Sequence, residues 1–392
     1  MEISREVEKL KDFETVQRWI TTLTKHAGEK NTTIQYLRGM RTFCEWVKKN
    51  PDQLIEERMN DLKSESVKIR ARAEDQIDRF YAEYKDRSQT RAVMIHAIVK
   101  SFYKANHLPL TTKTPRMLMV REEEIMPTPE QIRRMADVCD LRDKTLVVWM
   151  AEGGFRIGSL IQLQVKDAKD LYSGKVPCAV KIPSAVSKGK LGYIGFVCQD
   201  AVDLMKAYLE RRRRQGETID EETYLFKGTG DKNLTKTYAS TLVTNAAVAI
   251  GLIKSQRGVK SFRSHCFRKR VQTTLEGSGI PLNWVDYLLG HVPRGADASA
   301  YSRPTPEQLR EAYAKAMPKL QIYGGEGLDE ARINEIAYKR AEEMIKIAIA
   351  TIMRQTQQDD VQTMKVITSL DNAFEEHHKR RRGEKPQPQL PS

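Results

Sequence analysis

The chain has 392 residues, of which 40% are hydrophobic, and its 66 Lys and Arg against 52 Asp and Glu give a net charge of +14. This length allows two or three domains, and no apolar run approaches the roughly 20 residues that a membrane-spanning helix needs. The five cysteines include no CxxC pair, so neither a zinc site nor a disulfide framework is supported. The N-terminus lacks the apolar segment of a signal peptide, and a reducing cytoplasm is the expected location. The basic charge favours a nucleic-acid partner, with a merely soluble basic surface as the alternative.

The first part of the chain, residues 1–110, is predicted to be a helical domain. Apolar residues recur there at helical spacing, as in Val16, Trp19, Ile20 and Leu23. A basic helical bundle could clamp DNA. An ordinary bundle with lysines on its wet face would show the same pattern, and this region alone does not separate the two.

A linker is expected at residues 111–127, where prolines, threonines and an acidic run interrupt the helical periodicity. Thr128 then stands immediately before Pro129, which predicts a helix start with Thr128 as its N-cap. A second domain is expected over residues 128–325. The whole chain is therefore predicted to be mainly α-helical with a small β-sheet.

Within the second domain, residues 157–165 are expected to continue as a helix after a double-glycine turn. Residues 180–182 and 193–197 are predicted to be strands of a hairpin whose turn contains Ser-Lys-Gly-Lys. Residues 224–226 are predicted to be one more short strand, and residues 242–250 and 265–275 to be helices.

The last segment, residues 326–392, combines a predicted helix at 328–353 with a basic tail, Lys379–Arg382, that is expected to be disordered. Ile333, Ile336 and Ile345 belong to a pronounced apolar stripe on that helix, which favours a partner helix over a membrane. Docking on a neighbouring subunit and folding back on its own domain are equally compatible with the stripe.

Side chains suited to attack on a phosphodiester recur in order along the second domain. A tyrosine hydroxyl has a pKa near 10, so as a nucleophile it needs help losing its proton. The phosphorane that it forms needs positive charge around its oxygens, which arginine supplies in a planar fork. His265 and Arg268 stand one helical turn apart and therefore face the same way. The ordered set is Arg156, Lys188, His265, Arg268, His291 and Tyr301.

These motifs resemble the catalytic domain of tyrosine recombinases, the integrase family. The matching text is Gly-Phe-Arg-Ile-Gly-Ser-Leu around Arg156, Ser-Lys-Gly-Lys in the hairpin, Tyr-Leu-Phe near 225, His-Cys-Phe-Arg-Lys, Tyr-Leu-Leu-Gly-His, and Ala-Tyr-Ser. The likeness covers about half of the chain, from Gly154 to Tyr301, and its order and spacing are specific. An archaeal or mobile-element relative is suggested by the long C-terminal helix. The family's usual acidic residue three positions after the first arginine is replaced by Ser159.

The resemblance implies a fold, a reaction, and roles for Tyr301, Arg156 and Arg268. Residues 1–110 would be the core-binding DNA domain and residues 128–325 the catalytic domain. Tyr301 would attack the scissile phosphate and become linked to a 3′-phosphate, which releases a 5′-hydroxyl. Arg156 and Arg268 would clamp the non-bridging oxygens.

The remaining residues would handle protons and orientation. Lys188 would protonate the leaving 5′-oxygen, with Lys190 in the same turn as its rival. His265 would act as general base or orient the tyrosine, and His291 would hydrogen-bond the phosphate. No cofactor is expected, because the phosphotyrosine keeps the bond energy.

A site-specific DNA recombinase for integration or excision is therefore expected, acting on double-stranded DNA as a homo-oligomer, a tetramer. A type IB-like topoisomerase shares the same residues, and a noncatalytic DNA-binding relative would share the fold. Relaxation of plasmid without strand exchange would indicate the first alternative, and absence of any covalent adduct the second.

Overall fold

The computed structural model describes residues 5–27, 30–116, 124–254, 261–291, 304–324, 345 and 368–369. The chain divides into two compact units, Met1–Val120 and Arg121–Ser392. Within the described ranges no helix combines the length and apolarity needed to cross a bilayer. The domain limits at 110, 127 and 325 stay predictions.

The first unit is built from helices around an aromatic core. Trp19 meets Phe102 edge-on with ring centroids 5.5 Å apart, and Phe43 meets Phe80 in the same way at 5.5 Å. All four rings are buried, as the apolar spacing at 16–23 predicts for its own helix. The helices are α1 (Arg5–Lys9), α2 (Glu14–Ala27), α3 (Lys30–Val47), α4 (Pro51–Asp61), α5 (Val67–Arg70), α6 (Arg72–Tyr84) and α7 (Gln89–Ala105), with a 3-10 turn at Leu10–Asp12.

A buried ion pair joins two helices of this unit. Arg58 on α4 is only 5% exposed, and its guanidinium donates to both carboxylate oxygens of Glu74 on α6, at 2.8 and 2.7 Å. It also donates to the backbone carbonyl of Arg70. Such a forked arrangement neutralises the charge of a buried guanidinium within the protein itself, although the Nε of Arg58 has no hydrogen-bond partner among the described residues.

The second unit is organised around one helix that is buried along nearly its whole length. This helix, α9, contains Trp149, whose indole N–H donates to the carbonyl of Ala201 at 2.8 Å. Thr128 caps the preceding helix through a capping box with Gln131, which confirms the predicted start. The helices α8, α11 and α13 pack against α9. The helices are α8 (Pro129–Asp137), α9 (Leu141–Gly153), α10 (Ile157–Leu160), α11 (Gln199–Arg214), α12 (Lys236–Ala249), α13 (Ser264–Glu276), α14 (Leu282–Leu289) and α15 (Pro306–Leu320).

The predicted hairpin is present as a two-stranded antiparallel sheet. Strand β1 (Cys178–Ile182) pairs with β2 (Tyr193–Val197), with Cys178 opposite Val197 and Ile182 opposite Tyr193. The fold is thus mainly helical with a small sheet, as the sequence predicts.

Two local predictions are wrong. Residues 224–226 do not form a regular strand. Tyr224 makes an isolated antiparallel bridge with Gln164, and Lys227 makes another with Asn233, so the backbone pairs at single positions on two different segments and no continuous ladder forms. The helix expected at 157–165 ends at Leu160, where bonds between residues three apart tighten the last turn. The helix expected at 328–353 and the tail at Lys379–Arg382 lie outside the described residues, apart from Ile345.

Candidate active site

Two glycines with left-handed backbone bring the ends of α9 and α14 together. Gly154 caps α9 with φ of 62°, and a Cβ there would meet Leu289 and Val271 at 3.1 Å. Gly290 caps α14 with φ of 61°, and a Cβ there would lie 2.3 Å from the ring of Tyr193. Only glycine adopts this backbone without penalty and allows such close approach. The glycines in the Gly-Gly-Phe-Arg and Leu-Leu-Gly-His motifs therefore have a structural cause.

Arg268 lies between these two helix ends. It is 2% exposed on α13. Its Nη1 donates to the carbonyl of Gly154 at 2.8 Å, and its Nη2 donates to the carbonyl of Leu289. The helix-end carbonyls, which lack partners within their own helices, thus orient the guanidinium. Arg268 is positioned by backbone atoms alone on these two sides.

Arg156 reaches the same place from the start of α10. It follows the α9 cap and is the N-cap residue of α10. Its Nη1 donates to the carbonyl of Gly290 at 3.3 Å. Both predicted arginines therefore bond the backbone at the C-terminal end of α14, and the structure brings them together as a pair.

Among the described residues, no carboxylate is hydrogen-bonded to Arg268. Burial, reinforced by the charge of Arg156, lowers the pKa of Arg268 to about 10. The group still carries its proton at neutral pH, so a buried positive charge remains without a counter-ion. The Nε of Arg268 and the hydroxyl of Tyr193 are both buried, and among the described residues neither makes a hydrogen bond of good geometry. The two side chains interact with each other, and this interaction favours the charged guanidinium. An anion would satisfy this arrangement.

His291 completes the contact on the third side. Its Nε2 lies 3.0 Å from Nη2 of Arg268, and its Nδ1 lies 3.1 Å from Oδ1 of Asp286 on α14. Burial and the charges of Arg268 and Arg156 lower the pKa of His291, and Asp286 opposes that shift. The predicted His291 is thus in direct contact with the predicted Arg268.

His265 stands one turn before Arg268 on α13, and its side chain is exposed. Desolvation and the nearby charges of Arg268 and Lys269 lower the pKa of His265, which Glu124 partly offsets. The ring is therefore mainly neutral at neutral pH, the form in which a histidine can accept a proton.

The two candidate lysines both lie in the hairpin loop, and both are exposed. Lys190 has a positive φ of 55°. The loop is tied to α10 by Ser159, whose hydroxyl donates to the carbonyl of Val186 at 2.9 Å. The residue that replaces the expected acidic side chain thus anchors the lysine loop. Lys188 and Lys190 both stay candidates for the proton donor.

The predicted nucleophile, Tyr301, lies outside the described residues. Arg156, Arg268 and His291 are brought together by the structure, with His265 one turn away. Asp286 and Tyr193 were not predicted from the sequence. The position of Asp286, one turn and a half before His291 on a helix that ends at a glycine, could have indicated a contact with His291. Nothing in the sequence indicated that the Tyr193 ring packs on Gly290.

Residues 126–317 match the phage integrase family, and this segment includes every predicted site residue. The chain is 23% identical over 225 residues to tyrosine recombinase XerC of Staphylococcus epidermidis, which covers 57% of this chain and 69% of that protein. It is 24% identical over 310 residues to tyrosine recombinase XerD of Corynebacterium glutamicum, covering 77% of this chain and 97% of that protein.

A solved structure shows the same fold at lower identity. A lambda integrase dimer bound to a COC′ core site has a TM-score of 0.50 and 14% identity, covering 74% of this chain and 98% of that one. The match of residues 126–317, the two relatives and this fold agree with one another. The chain belongs to the phage integrase family and is a tyrosine recombinase enzyme. The named relatives favour recombination over the topoisomerase alternative.

Proposed function

We propose that this tyrosine recombinase cuts and rejoins DNA at a specific site through a 3′-phosphotyrosyl intermediate carried by Tyr301, for integration or excision. The observation that supports this most is Arg268, a buried guanidinium without a carboxylate partner in the described chain, beside Arg156 and His291. A buried cation without a counter-ion is costly, and a phosphate group bound beside Arg268, Arg156 and His291 would offset that cost.

The two arginines would stabilise the charge that develops on the phosphorane. They are fixed before substrate arrives, because backbone carbonyls of Gly154, Leu289 and Gly290 hold them. Preorganised donors in a water-poor site cost no reorganisation when the reaction occurs, and each contributes about 100- to 1000-fold in rate. The two arginines thus stabilise the transition state more than the bound duplex.

The remaining roles concern protons. His265, neutral and exposed, would accept or orient the proton of Tyr301. Lys188, or Lys190 in the same loop, would protonate the leaving 5′-oxygen. His291 would hydrogen-bond the phosphate. A second 5′-hydroxyl then attacks the phosphotyrosine and restores the tyrosine, so the strand is rejoined without ATP or a cofactor.

The substrate would be double-stranded DNA, bound in the cytoplasm. The net charge of +14 supports a phosphate-rich partner, and the fold is that of a lambda integrase dimer bound to a core site. Strand exchange needs several active sites together, so a homo-oligomer, a tetramer on DNA, is proposed. Affinity should fall by about tenfold to a thousandfold between low and moderate salt if several phosphates are neutralised.

The test is a covalent adduct. A pool of nicked duplexes with a randomised core is mixed with the full chain, and adducts that survive denaturant are recovered and sequenced. Tyr301→Phe should give no adduct and still retain DNA, because only the nucleophilic oxygen is removed. The matched control is Tyr172→Phe, an exposed tyrosine of the same unit, which should react as the native chain does.

Adduct formation by Tyr301→Phe would overturn the assigned nucleophile. Relaxation of plasmids of arbitrary sequence without strand exchange would show a topoisomerase instead. Retention of duplex with no adduct from the native chain would show a noncatalytic DNA-binding protein.

A further inference from the structure

A carboxylate outside the predicted set is bonded to the phosphate-facing histidine. Resting on the proposed function, we propose that Asp286 is a positioning residue that holds His291 in the Nδ1–H tautomer while the ring accepts from Arg268, and then supports the protonated ring when a phosphate enters. His291 would therefore change from acceptor to donor on substrate binding.

The tautomer follows from the two contacts of the ring. A guanidinium has only donors, so Nε2 of His291, 3.0 Å from Nη2 of Arg268, must accept. A neutral ring that accepts at Nε2 carries its proton on Nδ1. That Nδ1–H faces Oδ1 of Asp286 at 3.1 Å, and an ionised carboxylate only accepts. The hydrogen bonds thus run in one direction, from Arg268 to His291 to Asp286.

The backbone fixes this geometry a second time. The N–H of His291 donates to the backbone carbonyl of Asp286 at 2.9 Å, so the same residue holds both the main chain and the ring of His291. Gly290 between them has left-handed backbone and packs on the Tyr193 ring. The ring of His291 therefore has little freedom to turn over and exchange its two nitrogens.

A phosphate oxygen would face the wrong group in this resting state. The lone pair of Nε2 repels an anion, and Nη2 of Arg268 is engaged by His291. When a phosphate takes the Nη2 donor, Nε2 loses its partner and takes up one proton from solvent, and the new Nε2–H donates to a phosphate oxygen. The ring of His291 gains one proton from solvent, and no other covalent bond is made or broken.

The charges around His291 set the balance of this step. Arg268 from α13 and Arg156 from the start of α10 disfavour protonation, as does burial, and Asp286 from α14 favours it. The entering phosphate adds negative charge and offsets the arginines. Asp286 is then the only carboxylate, among the residues that the structure describes, bonded to the ring as its charge appears.

The first test reads the tautomer without any activity. The full chain is labelled with ¹⁵N-histidine, and His291→Gln identifies the ring signals of His291 among the seven histidines. The expected pattern is a neutral ring protonated at Nδ1 in the free protein. A ring protonated at Nε2 would overturn the proposal. Asp286→Asn should keep the tautomer, because its amide oxygen also accepts. Asp286→Ala leaves only the contact with Arg268, so the Nε2–H tautomer should become detectable beside the Nδ1–H form.

The second test is a pH profile of adduct formation with the duplexes selected above. If a protonated His291 donates to the phosphate, the rate falls as pH rises through the pKa of His291 in the complex. Asp286→Asn removes the supporting charge and should move this fall to lower pH by about one unit or more. Asp286→Glu should restore part of the shift. The charge-matched control, Glu276→Gln on the exposed side of α13, should leave the profile in place.

A slower Asp286→Asn enzyme with an unmoved pH profile would show a merely structural role and overturn the proposal. A native chain that forms no adduct would instead overturn the proposed function, and the ring tautomer would still be measured independently.

Discussion

Two buried arginines of this molecule have opposite surroundings. Arg58, in the helical first unit, is 5% exposed and forms a forked pair with Glu74. Arg268, in the second unit, is 2% exposed and contacts two backbone carbonyls and His291. The first charge is neutralised inside the protein. The second is held in position but left without a counter-ion, as the proposed role in binding a phosphate requires.

Arg212 shows that an arginine's location in the first or the second unit does not decide whether it is paired with a carboxylate. It is buried in the second unit as well, and it pairs with Glu217 at 2.6 and 3.1 Å. Its hydrogen bonds lower the pKa of Glu217 to about 2, whereas the pKa of Arg268 is itself lowered, to about 10. In the Arg212–Glu217 pair the shifted pKa is that of the carboxylate, whereas at Arg268 it is that of the guanidinium itself.

The largest effect on stability is expected for Arg58→Ala. Glu74, which is largely buried, would lose its guanidinium partner, at a cost of about 3–5 kcal/mol in the free energy of unfolding. Urea denaturation followed with a spectroscopic probe in the first unit measures this cost. Arg18→Ala is the control, because its pair with Glu14 is exposed and should cost less than about 1 kcal/mol. A cost for Arg58→Ala no larger than that of the control would contradict the comparison.

Arg268→Ala should affect the reaction more than the fold. The rate of adduct formation should fall about 100- to 1000-fold, equivalent to about 2.7–4 kcal/mol, because a preorganised donor to the phosphorane is removed. Arg156→Ala should lose a similar factor. Loss of stability should be smaller than for Arg58→Ala, since the variant also removes an uncompensated buried charge. Arg133→Ala, in an exposed pair with Glu130, is the control for the rate of adduct formation. A rate loss of less than tenfold in Arg268→Ala would refute the role of Arg268 in stabilising the phosphorane.

A smaller, pH-dependent effect on the free energy of unfolding is expected at the Arg212–Glu217 pair. Because the folded pKa of Glu217 lies below its ordinary value, the pair stabilises the fold above about pH 5, and this contribution is lost as pH falls toward about 2. The side chain is partly exposed, so the contribution is on the order of 1–2 kcal/mol. The unfolding free energy of Glu217→Gln should approach that of the native chain as pH is lowered. A constant difference would mean that the ion pair does not stabilise the fold.

The sequence predicted those parts of the site that depend on local spacing. His265 and Arg268 share a helix face because they are three residues apart, and the glycine ends of α9 and α14 are readable as motifs. The hairpin was predicted from two strand-like segments and the turn between them. These are short-range effects, which a linear pattern records.

The parts that were missed depend on residues distant in the chain. The segment at 224–226 pairs only through isolated bridges to distant residues, Gln164 with Tyr224 and Asn233 with Lys227, so no regular strand forms there. The ring of Tyr193 covers Gly290, and the carbonyls that hold Arg268 come from two different helix ends. Whether a buried arginine meets a carboxylate or a carbonyl is decided by tertiary packing, so the sequence could name Arg268 but not show that its charge is uncompensated.

The most direct measurement is the identity of the side chain that carries the DNA. Adduct formed by the native chain is digested with protease and nuclease, and the nucleotide-bearing peptide is sequenced by mass spectrometry. The account predicts a 3′-phosphate esterified to the hydroxyl of Tyr301. A nucleotide on another side chain, or a 5′-phosphate linkage, would contradict it.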